Sequence, residues 1–70
     1  MSMTEIPNPL SPRELHVLRS FENGLSIKEI AKEWGIVYGT VKAHIRLINA
    51  KLGVSTTTQA VALAIRKGWM

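Results

Sequence analysis

Gly35-Ile-Val-Tyr-Gly-Thr-Val-Lys-Ala-His-Ile-Arg46, continued by Leu47-Ile-Asn-Ala-Lys-Leu-Gly-Val54, is the stretch on which the fold turns. At helical pitch, Val41, Ile45, Ile48 and Leu52 fall on one stripe. Lys42 and Arg46 point away from that stripe, beside Gly39, Ala43 and Ala50. A helix with an aliphatic back and a front of two cations among very small side chains suits a groove lined with negative charge, and nucleic acid offers one.

Outward from that helix, glycines and caps mark the rest of the chain. Ser11-Pro-Arg-Glu14 is a capping box with proline at the first helical position, and it opens a helix that Asn23-Gly24 closes. Leu15, Leu18 and Phe21 are its predicted inward residues. Ser26-Ile-Lys-Glu29 is a second capping box, opening a short helix that turns Ile27, Ile30, Ala31 and Trp34 toward the core before Gly35 breaks it. A tight turn at Gly35–Val37 leads into the third helix, predicted over about 38–52 and closed by Gly53, with Val54 packing back on its end. Thr56-Thr-Thr-Gln59 supplies a third capping box for a last helix over about 57–67, ended by Gly68. Met1–Pro9 holds two prolines and no periodicity, and is expected to be a flexible arm ahead of a domain spanning 10–70.

Composition narrows the function classes. Seventy residues with 46% hydrophobic content suit one small folded domain. The absence of cysteine excludes disulfides and thiolate zinc sites. No apolar run approaches the roughly 20 residues that span a bilayer, and no secretion signal opens the chain, so no membrane association and a cytoplasmic location are expected. The net charge is +4, and its layout says more than its size. All five carboxylates precede residue 35, whereas Lys42, Arg46, Lys51, Arg66 and Lys67 follow with no acid among them. Solvated charge without a partner is the alternative reading of such a basic half.

A helix, a glycine-containing turn and a longer helix with a cationic outer face form a helix-turn-helix arrangement, in which the second helix enters the major groove. The sequence also resembles a known family. Leu10-Ser-Pro-Arg-Glu-Leu-His-Val-Leu18, Gly24-Leu-Ser-Ile-Lys-Glu-Ile-Ala31, Thr40-Val-Lys-Ala-His-Ile45, Lys51-Leu-Gly-Val54 and Gln59-Ala-Val-Ala-Leu-Ala64 look like the LuxR-type (GerE-like) DNA-binding domain of bacterial transcription regulators. The resemblance runs without a gap from Leu10 to the C-terminus. It implies an all-α, four-helix domain that binds double-stranded operator DNA, commonly as two copies on inverted half-sites with their fourth helices meeting.

By position, the resemblance places Lys42, Ala43 and Arg46 in the groove and Thr40 near the phosphates. Physically, Arg46 can grip a guanine through two hydrogen bonds, Lys42 is a point charge for phosphate or guanine, and the Ala43 methyl suits a thymine methyl or simply lets the helix approach. Thr40 lies at the positive end of the helix dipole. Lys28, Lys32 and Lys51 are candidates to clamp flanking phosphates, with unengaged exposed charge as the alternative.

Six consecutive apolar residues, Ala60–Ile65, exceed what one core-facing stripe buries, so the last helix is expected to pair two copies, with Thr58, Ala62 and Leu63 at the contact. Alanine used simply for its helix propensity is the other reading. His44 lacks neighbours that would make a metal site, Trp34 and Trp69 are read as packing residues, and no nucleophile–base pair or phosphate loop supports catalysis. No cofactor, metal or small-molecule ligand is expected.

Two positions depart from the family pattern. Val37 stands where a capping serine is common, leaving a helical amide without its acceptor at about 1 kcal/mol. Gly39 replaces a longer residue and weakens the first turn by roughly 0.5–1 kcal/mol. Two other functions stay open. One is an interaction module that pairs with a full-length regulator through the last helix and silences it. The other is a promoter reader that engages RNA polymerase, suggested by Gly39-Thr-Val-Lys42 and opposed by His44 and the long last helix.

Overall fold

The computed structural model describes residues 8–70, and the first seven positions of the expected arm lie outside it. Four helices follow in order: α1 (Pro12–Glu22), α2 (Ile27–Trp34), α3 (Tyr38–Leu52) and α4 (Thr57–Arg66). The fold is all-α. Each of the three capping boxes closes in both directions: Ser11 with Glu14, Ser26 with Glu29, and Thr56 with Gln59. Lys67 caps the end of α4, one residue inside the expected limit. Gly35 and Gly53 take the left-handed conformation, φ 68° at both, that ends α2 and α3.

The core has two parts, and α3 belongs to both. Leu10, Val17, Leu18, Ile48, Ala60 and Ala64 form one buried cluster, which joins α1, α3 and α4. Ile30, Ala31 and Val41 form the other, between α2 and α3. Phe21, Trp34 and Ile45 pack against both clusters. The predicted back stripe of α3 is therefore real, with Val41 and Ile48 fully enclosed and Ile45 and Leu52 half-buried.

Inward residues of α1 differ in part from the expectation. Val17 is fully enclosed with Leu18, while Leu15 and Phe21 are half-buried. The reason is that α1 packs against both α3 and α4, so its covered sector is wider than one helical stripe. That sector includes Ser20, whose hydroxyl donates to the His16 carbonyl at 3.0 Å and so stays satisfied. Leu10 is buried at the start of the domain, and its amide donates to Asn8 Oδ1 at 2.9 Å.

Candidate nucleic-acid interface

The outer face of α3 follows from its inner one. Because Val41 and Ile48 are held in the core, Lys42, Ala43 and Arg46 must point outward, and all three are exposed, as are Gly39, Thr40 and Ala50. The helix carries no acidic side chain. Lys42 places its ammonium 5.9 Å from the centroid of the Tyr38 ring one turn earlier, a weak cation–π contact that orders the first cation of the face. Arg46 lies one turn further on.

The start of α3 is unlike that of the other helices. Val37 has the extended backbone of a cap residue, φ −79° and ψ 154°, but gives no side-chain hydrogen bond. Its carbonyl accepts from the amides of Thr40 at 3.0 Å and Val41 at 3.4 Å, so the first turn is held by backbone alone. The exposed Thr40 stands at the positive end of the helix dipole, where an anionic oxygen is favoured.

The candidate phosphate clamps are not equivalent. Lys28, in the first turn of α2, is exposed, and so is Lys32. Lys51, in the last turn of α3, donates to Glu14 Oε1 at 2.7 Å. The same oxygen accepts from the Ser11 amide at 2.8 Å. Burial pushes the Glu14 carboxyl up, but the Lys51 hydrogen bond, the Ser11 amide and the Lys51 charge together outweigh it and hold the group below the usual carboxylate range. One carboxylate thus caps α1 and fastens the end of α3 to it. This pairing spans 37 positions, and no local sequence pattern reveals it. The box carboxylate of α2, Glu29, is also lowered, by the Ser26 amide foremost and then the Ser26 hydroxyl.

The expected pairing residues on α4 divide. Thr58 and Ala62 line an apolar groove with Phe21, Thr57, Val61 and Ile65. Leu63 is half-buried on the adjoining side of the helix, toward Gly53 and Val54. Sequence reasoning counted Ile65 in the excess apolar run but missed it as a contact residue; its large side chain stands 48% exposed at the groove. It also missed the arrangement around Trp34, where the Arg13 guanidinium lies 4.9 Å from the ring and His16 4.7 Å from it. Both partners come from α1, so the half-buried indole joins the first two helices.

The family model for bacterial regulatory proteins of the LuxR family (GerE) matches residues 8–64. The chain belongs to the LuxR family of bacterial regulatory proteins. This LuxR-family domain is 42% identical over 62 residues to the transcriptional regulatory protein DesR of Bacillus subtilis, covering 89% of this chain and 31% of DesR. It is 43% identical over 67 residues to LnrK of the same organism, covering 91% of this chain and 30% of LnrK. The crystal structure of ChrA, a response regulator in a heme-sensing two-component system, superposes with a TM-score of 0.83 at 34% identity, over 97% of this chain and 34% of that one. The LuxR-family chain therefore spans about a third of the length of these relatives. The family is one of helix-turn-helix transcription regulators that bind DNA, not of enzymes. Among the described residues, no helix is long and apolar enough to cross a membrane.

Proposed function

We propose that this domain binds double-stranded operator DNA sequence-specifically, with α3 in the major groove, and that two copies pair through α4 on inverted half-sites. One observation carries the reading: Lys42 and Arg46 stand exposed on an acid-free face whose opposite side, Val41 and Ile48, is locked into the core. In this arrangement Arg46 takes a base edge, Lys42 a phosphate or guanine, and Ala43 the groove floor. Thr40 and the uncapped amides take one phosphate and Lys28 a flanking one. Lys51 contributes chiefly by fixing the angle of α3 through Glu14, and reaches DNA only if it leaves that carboxylate. Pairing is supported by the groove of Phe21, Val61, Ala62 and Ile65, an apolar surface open on the outer side of α4.

The test is a mobility-shift titration on a duplex selected from a random library. Arg46→Ala is expected to weaken binding about 10- to 100-fold and to relax specificity at one base pair. Lys42→Ala is expected to weaken it and to flatten the salt dependence by about one unit of slope if it serves a phosphate. Unchanged affinity in both variants refutes the assigned face. A palindromic selected motif supports pairing. If no duplex is retained while a full-length LuxR-family regulator is captured, the Ile65 surface is serving an interaction module instead.

A further inference from the structure

Three of the four large hydrophobic side chains that stand exposed among the described residues belong to α3 or the residue before it: Val37 at 71%, Tyr38 at 50% and Leu47 at 55%. The core does not call for this. Its share of α3 is already supplied by Val41, Ile45, Ile48 and Leu52. Leu47 lies one turn beyond Ala43, and Ala43 one turn beyond Gly39, so the three form a continuous outward row. A Cβ added at Gly39 would meet nothing within 4 Å, so the beginning of the row is open space. Beside it runs the row of Tyr38, Lys42 and Arg46. The outer face thus has a cationic track and, next to it, a track with no hydrogen-bonding side chain.

An apolar track flanked by uncompensated cations narrows the choice of occupant. A protein surface that matched Leu47 would still have to supply acids for Lys42 and Arg46. Duplex DNA supplies phosphates throughout, and the large apolar feature on its major-groove base edges is the thymine C5-methyl group. We propose that Leu47, together with Ala43, is specificity-determining: the pair reads thymine methyl groups by burial against them, alongside the polar reading by Arg46 and Lys42. This rests on the DNA-binding reading above and adds to it the chemistry recognised at this part of the face. Leu47 extends beyond Ala43, so the two reach methyls at different depths of the groove, and the missing side chain at Gly39 lets the helix come close enough for Ala43 to touch.

The test replaces thymine by deoxyuridine, one position at a time, in the selected duplex. This removes the methyl and keeps every hydrogen-bonding group. At one or two positions, affinity is expected to fall about fourfold, the effect of withdrawing one buried methyl-sized group. The penalty at one such position is expected to disappear in Leu47→Ala and at another in Ala43→Ser, while persisting in Lys42→Ala. Both tested side chains are exposed, and an unchanged thermal midpoint would confirm that the variants stay folded. Deoxyuridine tolerated at every position, with the thymine duplex still bound tightly, overturns the methyl reading and leaves DNA binding standing. A penalty undiminished by both Leu47→Ala and Ala43→Ser also overturns it. Failure to bind the thymine duplex at all overturns both proposals.

Discussion

The starts of α1 and α3 share a backbone and differ in chemistry. Ser11 and Val37 both hold the extended conformation of a cap, φ −71°, ψ 163° and φ −79°, ψ 154° respectively. At α1 the Ser11 hydroxyl accepts from the Glu14 amide and the Glu14 carboxylate accepts from the Ser11 amide, so the turn completes itself. At α3 neither acceptor exists. The path of the chain into the helix is thus the same with or without a glycine before it, whereas the side chain decides whether the first turn gains an acceptor beyond the backbone. The helix facing outward is the one left without a side-chain acceptor.

The largest effect that would separate the two starts comes from Glu14→Ala. It removes the acceptor of both the Ser11 amide and Lys51, and is expected to lower stability by about 1–3 kcal/mol in urea unfolding. Glu14→Gln keeps the box and loses the charge, so it should fall between the variant and the parent. The pH dependence has a definite sign. Because folding lowers the Glu14 pKa, its ionic contribution is fully present above the unfolded carboxylate range, about pH 4–5, and is lost as the pH falls through the lower folded pKa. The gap between parent and Glu14→Gln should close on acidification, and a gap that widens would contradict the Lys51 pairing.

Exchanging the cap chemistry gives the next effect. Ser11→Ala should destabilise by about 1 kcal/mol, and Val37→Ser should stabilise by up to about that amount by giving α3 the acceptor that α1 has. Equal and opposite shifts in the urea midpoint would sharpen the comparison, and a neutral Val37→Ser would break it. The smallest effect is that of Gly39→Ala. The residue has no positive φ, and an added Cβ would have free space, so a gain of roughly 0.5–1 kcal/mol is expected in the same measurement.

Local chemistry made most of the fold legible. Capping boxes, closing glycines and the stripe of Val41, Ile45, Ile48 and Leu52 located all four helices to within a residue, because each of these signals acts over one or two turns. The candidate face was legible for the same reason: burying Val41 and Ile48 leaves Lys42 and Arg46 no other direction. What escaped the sequence depends on which helices meet. Val17 is enclosed because two helices cover α1, Lys51 is engaged by a carboxylate from the far end of the chain, and Arg13 and His16 gather on Trp34 only after α1 and α2 pack. The stripe of α3 left Leu47 outside it and the Ala60–Ile65 run exceeded one stripe, but which of these aliphatic side chains stay uncovered depends on the helices that pack there.

The division of the core into two clusters has a mechanical consequence. Val41 is seated in one and Ile48 in the other, seven residues and so about 10 Å apart along the axis. Lys42 and Arg46 lie between those two bearings, as on a beam supported at both ends rather than a lever hinged at one. Loosening either support would tilt the beam and swing both cations off their targets together, so the aim of the outer side chains depends on aliphatic residues that never face the solvent.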